Sequence, residues 1–325
     1  MKKYAVYVSN AESGDIAVLR LDDGQLHPLQ TVAAGGELMP MARCGERLYV
    51  ARRSEPREAL SFAIGADGTL TQIGAGPLPH SMAYIATDRS GRWLLSASYG
   101  GNLVAVNAID EAGIVGATVQ IVPTGPNAHA IQCDASNRQV LATSLGGGVL
   151  MRFDFDPASG RLSLRDTVAP HTGASPRHFR FGADGRFVYL LGELDGMIDV
   201  LDAATLATLQ TASLLTPDFS GEPWAADLQL TPDGRFLYAS ERRSSLLAGF
   251  RIDPASGLLG LIGHTPTEAQ PRGFAITPDG GWLLSVGQRS ERLRVFAIDA
   301  ETGALQPTAE APVGRGANWI EVFPC

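Results

Sequence analysis

Lysine is almost missing from this 325-residue chain: Lys2 and Lys3 are its only two. Their scarcity excludes a Schiff-base or phosphate-loop lysine mechanism, so anion recognition falls to arginine, histidine or backbone N–H groups. Cysteine is also scarce. Cys44, Cys133 and Cys325 are too few and too scattered for a disulfide framework, and a reducing cytoplasm is the expected compartment. No apolar run reaches the roughly 18 residues that a membrane span needs. The opening MKKYAVYVSN has no apolar signal core and reads as a strand from Tyr4 onward. A formal net charge of −8 argues against nucleic acid as a partner. No HExxH, CxxC or GxSxG motif occurs, and Gly146 to Gly148 read as a turn because no helix follows them. No metal or cofactor is expected.

What the chain does have is repetition. GERLYVAR (from Gly45), GRWLLSAS (Gly91), NRQVLATS (Asn137), GRFVYLLG (Gly185), GRFLYASE (Gly234) and GGWLLSVG (Gly280) follow one another at spacings of 46, 46, 48, 49 and 46. YAVYVSN, from Tyr4, is a seventh copy. After each comes a second apolar segment and a turn such as Asp-Gly or Pro-Ala-Ser-Gly, whose residues tolerate the positive φ of tight hairpins. No long helical pattern stands out. Short strands at a period of about 40–50 residues mean a propeller or solenoid. The expected fold is therefore all-β: one seven-bladed β-propeller domain over residues 1–325, with four-stranded antiparallel blades. ANWIEVFP, from Ala317, is expected to pair with the N-terminal strand and close the ring.

A propeller repeat calls for polar or small residues at its turns, so exceptions locate a site. His129, Arg177, Asp227 and Arg272 lie close to one or two repeats apart and are expected to form one ring layer around the channel mouth. Glu193, Glu241 and Gln288 are expected to form a second, with Tyr99 and Arg52 or Arg53 nearby. Each of these polar residues could simply tie blades together, and Trp224 and Asp227 of WAAD fit that role best, Trp224 by packing and Asp227 by bonding backbone. The combination of His129, Glu193 and Arg177 points instead to acid–base work on an anionic or carbonyl substrate.

GASPRHFRF, GELDGMIDV, PWAADLQLTPDGRFLYASERRSSLLAGF, QPRGFAITPDG, GQRSERLRVFAI and VGRGANW together resemble the seven-bladed lactonase family, the cycloisomerase-type 6-phosphogluconolactonases, across essentially the whole chain. A fungal carboxymuconate cyclase of that family uses a His, a Glu and arginines. The resemblance implies His129, Glu193 and Arg177 as catalytic, with Arg242 or Arg272 as the further arginine. Substrate-binding candidates are Arg272, Arg242, His178, Tyr99, Tyr84, Asp227, Gln288 and Arg53. Two departures stand out. Ala83-Tyr84 replaces the family's Thr-His pair, and Ala128-His129-Ala130-Ile131-Gln132 replaces Cys-His-Ser-Ala-Asn. Both remove polar groups, which leaves a non-phosphorylated aldonolactone open beside a phosphorylated one. The expected partner is a small sugar lactone and the chain a monomer or weak homodimer. Hydrolysis, migration between 1,5- and 1,4-lactones, muconate-type cyclisation and a non-enzymatic binding propeller all remain readings of these residues.

Overall fold

The computed structural model describes residues 2–325. Its 28 strands form seven four-stranded antiparallel sheets. Among the described residues no helix is long and apolar enough to cross a membrane. The innermost strands are Leu38–Cys44, Tyr84–Thr87, Ala128–Cys133, Pro176–Phe181, Ala225–Leu230, Pro271–Ile276 and Ala317–Pro324. Each touches the next, and the last touches the first, so the sheets close into a ring of blades around a channel. The repeated segment is the second strand of every blade. As expected, the C-terminal strand pairs with Lys3–Asn10, from Tyr4 opposite Pro324 to Asn10 opposite Ala317. The first blade thus contains both chain ends, and the ring presents no open sheet edge at the seam.

The repeat sequence explains how blades dock. The third residue of the repeated segment is aromatic in four blades: Trp93, Phe187, Phe236 and Trp282. On each ring sits the turn glycine of the following blade: Gly160, Gly257, Gly303 and Gly24. These glycines have positive φ, and a Cβ at Gly257 would lie 2.6 Å from the Phe187 ring. No other residue offers both the left-handed backbone and the flat contact. Two residues further along the strand, the hydroxyls of Tyr189 and Tyr238 donate to the carbonyls of Gly257 (3.0 Å) and Gly303 (2.7 Å). Apolar contact and a buried hydrogen bond thus couple neighbouring blades at one point.

A second repeated feature aims the channel side chains. The pairing of the innermost strand with its neighbour slips between Leu38 and Met41, Ala128 and Ile131, Pro176 and His178, Ala225 and Leu228, and Pro271 and Gly273. Such bulges re-aim the residues within them. Aligned on the repeat, Met39, His129, Arg177, Ala226 and Arg272 occupy one level. Contrary to expectation, the ring layer does not include Asp227. Asp227 is one residue too far along: Leu228 pairs with Ala239 as Phe179 pairs with Leu190, which makes Asp227 the equivalent of His178. The second layer differs from expectation in the same way. The backbone N–H groups of Arg53, Glu193, Arg242 and Gln288 make one and the same bond, to the carbonyls of Glu37, Ser175, Trp224 and Gln270 (2.8–3.1 Å). Arg242, not Glu241, is therefore the equivalent of Glu193. Glu241 turns away, accepting from Trp224 N–H (2.8 Å) and from the Ser244 N–H and hydroxyl (2.6 Å each).

Candidate active site

Glu193 is the centre of the upper mouth. It follows the second strand of the fifth blade, where the chain leaves the sheet. Its Oε2 lies 2.7 Å from Arg177 Nε, and its Oε1 accepts from Arg242 Nη2 at 2.8 Å. Trp224 Nε1–H donates to the same Oε1 at 3.0 Å. The Arg242 guanidinium lies 3.8 Å above the Trp224 ring, so one indole holds both partners of the ion pair. His129 Nε2 stands 3.9 Å from Glu193 Oε2. Neither that oxygen nor Arg177 Nε has an aligned hydrogen bond, and His129 Nδ1 has none either. The contact between Arg177 and Oε2 is one of charges at short range, with the oxygen's lone pairs unspent.

These groups are deeply buried. Arg177 is 1% exposed, His129 4% and Arg242 4%. Burial alone would raise the Glu193 carboxyl, but Arg177 and Arg242 outweigh it and hold the group below the usual carboxylate range. Burial first, then Arg177 and His178, pushes His129 well below the usual imidazole range, so it is neutral at neutral pH. Burial, then Arg177, also pulls Arg242 down.

The three guanidiniums differ in how far they are committed. Arg177 donates Nη1 to the Ala226 carbonyl and to His178 Nε2 (3.2 Å). Arg242 donates to the Trp224 and Ala225 carbonyls at 3.1 and 3.0 Å as well as to Glu193. Arg272 is half-buried at the same level and makes no side-chain hydrogen bond or ion pair among the described residues. Burial and the two other arginines push it well below the usual arginine range, and the attraction of Glu193 offsets only part of that. With Glu193 ionised, the cluster carries two uncompensated positive charges.

Other expected site residues are near but differently employed. The Tyr99 ring meets His129 edge-on at 5.9 Å and is 40% exposed at the mouth. Arg53 donates Nε to Ser81 Oγ at 2.8 Å and Nη1 to Glu37 at 3.1 Å. Gln288 shares the level of Glu193 and Arg242 by its backbone bond. His178, Tyr84 and Asp227 are not brought to the mouth. His178 and Tyr84 meet at 5.1 Å, and Trp319 packs on both at 5.8 and 5.3 Å, an aromatic layer beneath the charged one. Tyr84 OH accepts from Gln132 (2.6 Å) and Arg180 (3.0 Å), at a polar chamber of about 340 Å³ in the other end of the channel. Asp227 takes the backbone N–H of its own neighbour Leu228 at 2.9 Å, and its contact across the blade boundary is with His178 Nδ1 at 2.8 Å. Trp224, expected only to pack, is the site residue that the sequence reading underrated. Among the described residues no cluster of three or more His, Cys, Asp or Glu is placed to hold a metal ion.

The chain matches the family model "Lactonase, 7-bladed beta-propeller" over residues 4–322. It is 38% identical over 329 residues to a 6-phosphogluconolactonase from Serratia proteamaculans, covering 99% of both chains. A 6-phosphogluconolactonase from Pectobacterium carotovorum is 41% identical over 327 residues, with 98% of both covered. Among solved structures, a periplasmic gluconolactonase from Pseudomonas aeruginosa superposes with a TM-score of 0.90 at 26% identity, covering 99% of both chains.

Proposed function

The chain belongs to the seven-bladed β-propeller lactonase family, and on that premise we propose that it hydrolyses a sugar 1,5-lactone, 6-phosphogluconolactone first among candidates. The carrying observation is Arg272: an uncommitted, half-buried guanidinium beside an acid–base pair whose facing atoms, His129 Nε2 and Glu193 Oε2, lie 3.9 Å apart. A lactone carbonyl oxygen set against Arg272 gains negative charge as water attacks, and the surplus positive charge of the cluster stabilises it. The attacking water gives its proton to the His129–Glu193 pair. Collapse of the tetrahedral adduct breaks the carbon–ring oxygen bond, and the pair returns the proton to that oxygen. The product is the open sugar acid, and no group in the protein is consumed.

The names of the relatives support the phosphorylated substrate. So does the depth of Tyr84, since that departure from the family pattern lies below the mouth and takes nothing from it. The free thiols of Cys44, Cys133 and Cys325 suit a reducing compartment, and we place the chain in the cytoplasm.

Proton NMR of the purified protein with freshly generated glucono-, galactono- and 6-phosphoglucono-1,5-lactone tests this reading. Accelerated appearance of the open acid is expected, fastest with the phosphorylated lactone. Appearance of the 1,4-lactone instead would replace hydrolysis by isomerisation. No acceleration with any of the three would refute the enzyme reading.

A further inference from the structure

One layer below the mouth, His178 connects to the site without facing it. Its Nδ1 lies 2.8 Å from Asp227 Oδ1 and its Nε2 lies 3.2 Å from Arg177 Nη1. Both groups are nearly inaccessible, at 2% and 5% exposure. Asp227 is itself held by Leu228 N–H (2.9 Å) and Gln229 Nε2 (3.0 Å), with Arg180 at 3.7 Å. The pattern fixes the tautomer. A carboxylate accepts only, so Nδ1 carries the proton; a guanidinium donates only, so Nε2 presents its lone pair. Tyr84, Trp319 and His129 pack on the ring edge-on at 5.1–5.8 Å and prevent it from turning.

We propose that His178, oriented by Asp227, is a positioning residue that holds Arg177 against Glu193. The chain of contacts runs from carboxylate to imidazole to guanidinium to the carboxylate of the acid–base pair. The Ala226 carbonyl is the other support of Arg177 Nη1. Without the His178 lone pair, that nitrogen has one anchor in place of two, and Nε is free to swing from Oε2. The kinetic part of this proposal rests on the lactonase reading; its structural part does not.

Two substitutions separate positioning from packing. In His178→Asn the amide reaches the place of Nδ1, so it keeps Asp227 and loses Arg177. In His178→Gln the amide oxygen reaches the place of Nε2, so it keeps Arg177 and loses Asp227. Misplacing a group beside the chemistry costs about 10- to 100-fold. A loss of that size in kcat is expected for H178N, and H178Q should recover most of it. Glu193 is faced by Arg177 from the fifth blade, Arg242 and Trp224 from the sixth, His129 from the fourth and Arg272 from the seventh. Withdrawal of Arg177 removes one cation, so the acid limb of kcat/KM should move up by about one unit in H178N alone. A crystal structure of H178N should show Arg177 turned from Glu193. Equal losses in the two variants, or an unmoved acid limb with Arg177 in place, would overturn the proposal. If the wild-type chain hydrolyses no lactone, the crystal structure alone decides, and the fault lies with the functional reading.

Discussion

Glu193→Gln removes the one carboxylate that faces three guanidiniums, two buried and Arg272 half-buried, while keeping its shape. At 2.7 and 2.8 Å the pairs with Arg177 and Arg242 are as close as ion pairs come. Each is worth about 6 kcal/mol of gross attraction at an effective dielectric constant of about 20. Much of that is offset by the desolvation of the charges, and removing one member of a buried pair costs about 3–5 kcal/mol net. In a chain of this size that is a fall in Tm of roughly 4–7 °C. The variant's amide still accepts from Trp224 and Arg242, but its NH₂ group faces Arg177 and His129 with no lone pair to offer. Turnover should drop by about 10²- to 10⁴-fold, the range for losing a general acid–base group. The pH dependence supplies a sign. Glu193 titrates below its ordinary value in the folded chain, so its contribution is complete above about pH 4.5 and disappears as pH falls through the folded value. The stability gap between wild type and variant should therefore be full at pH 7 and close in acid. Urea unfolding at pH 7 and in steps below about pH 4.5, beside lactone hydrolysis by NMR at neutral pH, measures both effects. A variant within about 0.5 kcal/mol of wild type at pH 7 would refute the electrostatic reasoning. One that unfolds early yet turns over at the wild-type rate would leave the cluster a tie between blades.

Arg272→Met removes the uncommitted cation, so kcat/KM should fall by about 10²- to 10³-fold, while urea unfolding shows stability equal to wild type or higher; a clear loss of stability would mean that Arg272 is structural. Glu321 is pushed up to about 7, first by burial in the lower channel. Its folded value exceeds the unfolded one, so wild type loses stability as pH rises through that interval, and Glu321→Gln should be more stable above pH 7 by at most about 3 kcal/mol, with no gain below about pH 4.5. An advantage independent of pH would contradict this. Gly257→Ala puts a Cβ against the Phe187 ring at a φ of +73° and should cost about 2–4 kcal/mol in urea unfolding; a cost below about 1 kcal/mol would show that the blade junction yields.

Spacing alone gave the number of blades, their strands and the closure of the ring, because every blade must bury the same faces against its neighbours. The same spacing also sets the level of each channel residue. The fifth and sixth copies of the repeated segment are 49 residues apart, from Gly185 to Gly234. The same step carries Arg177 to Ala226 and Glu193 to Arg242. Asp227 lies 50 residues after Arg177 and Glu241 48 after Glu193, so each is one residue off that step and on a different level. In a strand, one residue reverses the direction of a side chain, so blade arithmetic locates a site only when each blade's own length is used. Other features had no signal in the sequence. Nothing in PWAAD says that the Trp224 indole N–H reaches Glu193 across a blade boundary. Nor does Arg177 differ from Arg272 by residue type; only the Ala226 carbonyl and the His178 lone pair tell the committed arginine from the available one.

The placement of charge bears on function more than its presence does. One level down, Tyr84, His178 and Trp319 fill the channel with rings that satisfy one another. The fold therefore has an inexpensive way to close its axis. At the mouth it gathers Arg177, Arg242 and Arg272 around one carboxylate instead. Mutual repulsion and burial weaken Arg242 and Arg272 as cations, and no stability argument favours a third guanidinium there. Groups of this kind cluster where function requires them. The cluster gains most when a negative charge appears beside it. In the proposed hydrolysis the oxyanion of the tetrahedral adduct brings that charge to the carbonyl oxygen, whereas the ground-state ester carbonyl carries none. An arrangement unfavourable in the resting protein and relieved at the transition state is a preference for the transition state over the substrate.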